Sequence, residues 1–326
     1  MGVIVYNATN LKQVDSQTEN FEYDLLITSG GSDYRAYELL RIADKKSYSF
    51  KKIILFHFEN RLGKLEGESL KKYNYYKKFD FSFTEIKTSL FHPPECREKL
   101  ESEIKGINPS SKVAIDISCF TKPFFFFLIK YFKKAKRLDK LTIFYTEPKS
   151  YTFSDGLFKS YQSSTGPIQI QEIPGFTGSS IRKLKSILII LLGFDGDLSK
   201  EISEEVAPSN ILIVNGFPSY SPKFKDISLI SNEKLISNNR ESINYSRANN
   251  PFETYNLLEK INRKYPKQTH INIAPLGTKP MALGACLFAL HNPDVRIVYP
   301  MPESYKNATT EECSRSWSYE LPLLDF

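Results

Sequence analysis

Two short segments of the chain place a hydroxyl beside an ammonium where a predicted helix begins. One runs Val113-Ala-Ile-Asp-Ile-Ser-Cys-Phe-Thr-Lys-Pro123, with an apolar run on to Phe132. The other runs His270-Ile-Asn-Ile-Ala-Pro-Leu-Gly-Thr-Lys-Pro280, with an apolar run on to Leu290. Each reads as an apolar strand, a loop and a helix opened by Thr-Lys-Pro, proline in the first turn being a start signal. Thr121 with Lys122, and Thr278 with Lys279, then sit where helix amides point outward and the dipole favours an anion. Such a pair suits a phosphate, including that of a nucleotide. For one copy alone the reading would be a helix cap and a solvated lysine. Two copies at matched positions favour a ligand.

The elements that must hold these residues repeat as well. Leu141-Thr-Ile-Phe-Tyr-Thr-Glu-Pro-Lys-Ser-Tyr151 matches Val295-Arg-Ile-Val-Tyr-Pro-Met-Pro-Glu-Ser-Tyr305, both ending Tyr-x-x-Pro-x-Ser-Tyr. Earlier, Tyr23–Asp33 and Ile187–Asp197 each read as an apolar strand and a glycine turn. Helices follow from about Tyr34 and through Val206, and then further strands at Ile53–Phe58 and Ile211–Asn215. Strands alternating with helices predict parallel sheets covered on both faces. The continuous apolar runs fit strands buried on both sides. The expected fold class is therefore α/β: two Rossmann-like units with mostly parallel sheets, made by tandem internal duplication. The units are expected at 1–175 and 176–326, with the turn-rich stretch 152–182 as the boundary. Tyr220–Asn250 is polar and reads as partly loop. The tail after Ser304 is expected to pack through Trp317, Tyr319 and Leu321.

In an open parallel sheet, ligands bind beyond the carboxyl ends of the strands. That rule gathers Ser29–Asp33, Ser118–Lys122, Phe194–Asp197, Asn215–Phe217 and Pro275–Lys279. The candidate ligand-binding residues among them are Gly30, Gly31, Ser32, Asp33, Ser118, Thr121, Lys122, Asn215, Gly277, Thr278 and Lys279. Glycines 30, 31, 196 and 277 allow close backbone approach to a ligand. Asp33, Asp195 and Asp197 also read as helix caps. Asp116, inside an apolar strand, is costly unless hydrogen-bonded; it orients either Lys122 or the loop backbone. His57, at a strand end beside Glu59, reads first as a satisfied histidine and second as a catalytic base.

Composition narrows the classes. The 326 residues are 41% hydrophobic and 25% charged, which excludes wholesale disorder. The net charge of +7 tolerates an anionic partner without demanding one. Its most basic stretch, Lys130–Lys140, is expected to be a solvated helix end, so nucleic acid is an unfavoured partner. Four scattered cysteines, with no Cys-x-x-Cys and no histidine at ligand spacing, predict neither zinc nor a disulfide framework. No leader-like start and no apolar run of membrane length is seen. A cytoplasmic protein with no membrane partner is expected. There is no Gly-x-Gly-x-x-Gly after a strand, no P-loop and no Gly-x-Ser-x-Gly elbow. No cofactor and no metal are therefore expected, and no catalytic residue is named.

The segment Ile271–Leu290, a strand followed by Leu-Gly-Thr-Lys-Pro-Met and an apolar helix, resembles a hallmark of the CRISPR-associated Rossmann-fold (CARF) domains. Duplicated in one chain, it looks like the SAVED sensor domains of antiphage signalling. The resemblance implies a pocket for a cyclic oligonucleotide between two Rossmann-like units. Gly277, Thr278 and Lys279 match the family loop. Thr121 and Lys122 match it with Phe120 in place of the glycine. Gly30–Asp33 corresponds by position to the family's other pocket loop. Such sensors carry a nuclease, protease or DNA-binding effector, whereas here the two halves occupy nearly the whole chain. Three readings follow. The chain binds a cyclic or linear nucleotide and acts with a separate effector protein in prokaryotic antiviral defence. Or it hydrolyses that nucleotide, as a ring nuclease does. Or it is a non-enzymatic adaptor subunit of a defence complex.

Overall fold

The computed structural model describes residues 10–14, 21–31, 33–46, 49–58, 67–78, 82–89, 93–151, 164–178, 185–239, 243–305 and 312–321. The chain divides into two compact units. One comprises residues 6–152 with 304–325, and the other residues 153–303. Ser32, one of the candidate ligand-binding residues, lies outside the described residues, as does Glu59.

The first unit is built on a seven-stranded sheet. In chain order its elements are β1 (Leu11–Gln13), β2 (Glu22–Ser29), α1 (Glu38–Lys46), β3 (Ser49–Phe58), α2 (Gly67–Tyr76), β4 (Ser82–Thr88), α3 (Arg97–Ile104), β5 (Val113–Asp116), α4 (Lys122–Lys134) and β6 (Leu141–Pro148). The second unit has six strands. It runs β7 (Ser164–Thr177), β8 (Lys185–Leu191), α5 (Gly196–Val206), β9 (Asn210–Gly216), α6 (Pro222–Ser231), α7 (Glu233–Asn238), β10 (Ile243–Ser246), α8 (Pro251–Asn262), β11 (Thr269–Pro275), α9 (Lys279–His291) and β12 (Arg296–Tyr305). A last strand, β13 (Cys313–Glu320), returns to the first sheet.

The sheet orders are β1-β13-β6-β5-β2-β3-β4 and β10-β9-β8-β11-β12-β7. Read from β6 to β4 and from β12 to β10, the two five-stranded cores are the same. In each, the first strand is flanked by the second and the fourth. Their strand pairs are parallel, as in β2 with β3 and β5, and β8 with β9 and β11. Helices follow corresponding strands, so Lys122 and Lys279 each open the helix after the fourth core strand. The molecule is thus α/β with two Rossmann-like units of matching topology.

Burial explains why these strands form. Leu25–Ile27, Ile53–Phe56 and Ile187–Leu191 are almost wholly inaccessible, as expected for strands covered on both faces. In α9 every residue from Pro280 to Leu290 is buried. Close helix packing there depends on Gly284, whose added Cβ would lie 2.3 Å from the Pro251 carbonyl oxygen.

Three features differ from the sequence reading. Residues 313–320, expected in the second unit, form β13, which pairs antiparallel with β6 and with β1. Trp317 Nε1 donates to Glu147 Oε1 at 2.6 Å and Thr146 Oγ1 lies 2.8 Å from Ser316 Oγ, so β6 holds this strand by side chains as well. Conversely β7, expected largely in the first unit, joins the six-stranded sheet. The polar stretch 220–250 contains α6, α7 and β10. These helices bury only Phe224 and Ser228, leaving little apolar periodicity to read.

Candidate functional site

In each unit the strand order reverses between the first and fourth core strands, and the crevice at their carboxyl ends is the expected ligand position. In the seven-stranded unit, Leu25, Leu26 and Ile27 register with Val113, Ala114 and Ile115. The loops after β2 and β5 therefore leave the sheet side by side. They carry Gly30, Gly31 and Asp33 on one side, and Ser118, Thr121 and Lys122 on the other.

Most of the rigid parts of this crevice are accounted for. Asp116 accepts a 2.9 Å bond from the Ser118 amide and one from its hydroxyl, and Ser118 Oγ accepts from the Thr146 amide at 2.8 Å. Asp116 thus serves the loop backbone, one of the two roles open to it. Asp33 caps the turn Tyr34–Tyr37 and grips the Arg35 guanidinium at 2.8 and 3.1 Å. Phe120 is buried against Phe56, Phe58 and Phe124, which explains why an aromatic ring stands where the second copy of the segment has Gly277.

Other groups are uncommitted. Three buried side-chain atoms around this edge make no hydrogen bond, namely Ser29 Oγ, His57 Nε2 and Thr121 Oγ1, while Tyr37 Oη is engaged by the Gly31 backbone. Ser29 and His57 stand at the ends of β2 and β3, and Thr121 precedes α4 without capping it. The turn at Gly30 brings the His57 ring and Tyr37 together. A Cβ there would lie 2.9 Å from the His57 ring and 3.0 Å from Tyr37 Oη. Beside Gly31, at φ +153°, the same position is open space. Buried polar atoms are almost always paired, so a cluster of unpaired ones asks for water or a ligand.

Two bases border the cluster. Part of Lys122 is open to solvent, yet burial lowers its pKa to about 7. Burial also lowers the His57 pKa, against the pull of Glu85, whose Oε2 is 3.9 Å from Nε2. Glu85 is itself kept ionised by the Tyr73 hydroxyl at 2.5 Å and Lys77 at 3.3 Å, which outweigh its burial. At neutral pH His57 is an uncharged ring. Sequence alone could place it at a strand end but not beside Tyr37, which lies twenty residues earlier.

The equivalent crevice of the six-stranded unit is occupied by its own chain. Gly193 approaches so closely that a Cβ would lie 2.6 Å from Leu276 O, and at Gly277 it would meet Leu192 O at 3.1 Å. Glycine here serves loop-on-loop packing. Thr278 caps α9 by accepting from the Met281 amide and donates to the Ala248 carbonyl. Asp195 caps α5 through the Leu198 amide at 3.3 Å. Burial, reinforced by Asp197 and Glu201, raises the Asp195 pKa to about 6. Asn215, buried at the end of β9, accepts from Gly216 N, while its Nδ2 makes no hydrogen bond. Gly30–Asp33 and Gly277–Lys279 lie in different units.

The basic run is mixed. Lys134 and Lys136 are exposed at the end of α4, but Arg137 is buried and donates to the Asn108 carbonyl at 3.1 Å. Among the described residues, no group of three or more His, Cys, Asp or Glu could hold a metal ion. No helix there is long and apolar enough to cross a membrane. Compared with known families and curated proteins, the chain matches no family model and no curated sequence.

Proposed function

We propose that this protein binds a nucleotide-type anion at the switch-point crevice of its seven-stranded unit. The observation that carries the reading is the set of buried groups without a hydrogen bond there, Ser29, His57 and Thr121, with Lys122 following Thr121 in the same loop. Hydroxyls, an imidazole and an amine supply the donors that several phosphate oxygens accept. The N-terminus of α4, thirteen residues long, adds its dipole. The six-stranded unit keeps the same topology, but its matching threonine is spent on capping.

The biological setting rests on the resemblance of the Leu-Gly-Thr-Lys-Pro-Met segment to CARF and SAVED domains. On that basis the ligand is a cyclic or linear oligonucleotide, and the protein is a sensor of prokaryotic antiviral defence with a separate effector. A cytoplasmic place agrees with Cys96, Cys119, Cys286 and Cys313, which are free thiols. Hydrolysis of the ligand is the second reading, favoured by the uncharged His57 ring at the crevice.

Calorimetric titration with mononucleotides and with cyclic and linear oligoadenylates tests the proposal. Charge-assisted bonds to phosphate contribute roughly 1.5–3 kcal/mol, so Lys122→Met should weaken binding by about one to two orders of magnitude. Thr121→Val should weaken it less, and Lys279→Met least, with melting temperatures held as folding controls. A mass change in the bound oligonucleotide, lost in His57→Ala, selects hydrolysis. If wild type binds none of these ligands, the nucleotide reading fails and the adaptor reading replaces it.

A further inference from the structure

We infer that an anion entering the crevice of the seven-stranded unit is bound together with a proton, which His57 takes up as the anion binds. The inference rests on that crevice being the anion site, and adds how its affinity is regulated. His57 stands between the crevice and a carboxylate. The Gly30 amide donates to the Phe56 carbonyl at 2.9 Å and Ser29 registers with Phe56, so the turn after β2 lies against the end of β3. There the Nδ1 and Cε1 edge of the His57 ring faces Gly30, 3.1 and 2.9 Å from where a Cβ would stand. The other edge faces β4. Its Nε2 is buried without a hydrogen bond, 3.9 Å from Glu85 Oε2. A neutral imidazole has one N–H, whereas an imidazolium has two and can serve both sides at once.

The groups around the ring leave it uncharged until an anion arrives. Burial opposes the charged form, as do Lys77 and Lys87, and together they outweigh the pull of Glu85. Lys87 registers with His57 on the neighbouring strand, and Lys77, just after α2, pairs with Glu85. Two tyrosines border the ring, Tyr73 edge-on at 5.9 Å and Tyr37 across Gly30. Burial raises the pKa of both, so neither carries charge near neutrality. An anion bound beyond Gly30 brings a second negative charge to a buried ring, where screening is weak. The proton then costs less in the complex than in the free protein, and by linkage affinity must rise as pH falls. Lys122, which opens α4 on the far side of β2, takes up protons for the same reason, so a site-specific signal is needed to separate the two.

The test adds two ligands of fixed charge near neutrality, inorganic sulfate and a cyclic oligoadenylate, to the full chain. Calorimetry in buffers of different ionisation heat counts the protons taken up per anion bound. Affinity should rise about three- to tenfold for each pH unit from 8 to 6, tenfold being the limit for one proton. The His57 ring resonance, assigned in NMR spectra by its absence from His57→Gln, should titrate at higher pH with either anion present. That displacement should persist in Lys122→Met, even though binding is weaker. Glu85→Gln should move the pH range of proton uptake to more acid values and Lys77→Met to more alkaline ones, opposite displacements that a merely structural role does not produce. A His57 resonance unmoved at saturation, or affinity independent of pH in Lys122→Met, overturns the inference. If the oligoadenylate binds with neither change, the inference fails and the nucleotide reading stands. If only sulfate binds and displaces the His57 titration, the inference holds and the nucleotide reading fails. If neither anion binds, both fail.

Discussion

Lys122 and Asp195 are both held away from their ordinary titration ranges by burial, and they set opposite pH dependences. The folded pKa of Lys122, about 7, lies below its ordinary 10.5. Above that ordinary value both states are uncharged and nothing is lost. As pH falls toward 7 the unfolded chain gains a proton that the native state resists, so stability drops. Below 7 the cost is complete. Lys122→Met should therefore raise the unfolding free energy extrapolated from urea titration at pH 7 by about 1–2 kcal/mol, after allowing for the solvent-exposed part of the side chain. The difference from wild type should shrink toward pH 10. Asp195 works in the other direction. Its pKa rises from 3.8 to about 6, so its cost is absent in acid and complete above pH 6. Asparagine caps helices as well as aspartate does. Asp195→Asn should thus stabilise the protein at pH 7 by about 1–3 kcal/mol, with the gain fading toward pH 4 in the same unfolding assay.

At the scale of elements, the packing of α8 against α9 turns on one position. An added Cβ at Gly284 would meet the Pro251 carbonyl at 2.3 Å and Thr254 Cβ at 2.8 Å, both held by the neighbouring helix. Gly284→Ala should cost about 1–3 kcal/mol in thermal unfolding. Gly106→Ala, which meets nothing within 4 Å, should stay within about 0.5 kcal/mol of wild type. The core strands and the helices α4 and α9 were legible because double-sided burial writes continuous apolar runs and Thr-Lys-Pro marks a helix start. The elements α6, α7 and β10 were not, since α6 buries only Phe224 and Ser228 and α7 buries nothing, so no apolar stripe marks them. Likewise, the use of the Thr278 hydroxyl is set by the Ala248 carbonyl thirty residues earlier, a contact that no local pattern encodes. The uncommitted state of Thr121 was hidden for the same reason. Both threonines precede Lys-Pro, and only the fold distinguishes them.

At the scale of the molecule, the duplication was legible but the ownership of the C-terminal strand was not. β13 crosses back over the whole second unit in sequence to enter the order β1-β13-β6. It brings Trp317, the single tryptophan of the chain, against Glu147, which also holds Arg315 at 3.1 Å. Tryptophan fluorescence thus reports on the seven-stranded unit alone. Glu147→Ala leaves the indole N–H without its acceptor, a loss of about 1–3 kcal/mol. The fluorescence transition in urea should move to lower denaturant, while the part of the circular-dichroism change that belongs to the six-stranded unit should keep its midpoint. Coincident shifts of both would show the two units to unfold as one.

The detour of the chain through β13 also sets an order of events on the ribosome. All six strands of the second sheet lie between residues 164 and 305, so that sheet can complete itself soon after they emerge. The unit that begins earlier must wait, with β6 lacking one neighbour, until the strand at 313–320 has been made. Domains ordinarily fold in the order in which they are synthesised. Here the later one finishes first, and the earlier one spends the interval with an open strand edge that a nascent-chain chaperone, or a second copy of the same strand, can occupy.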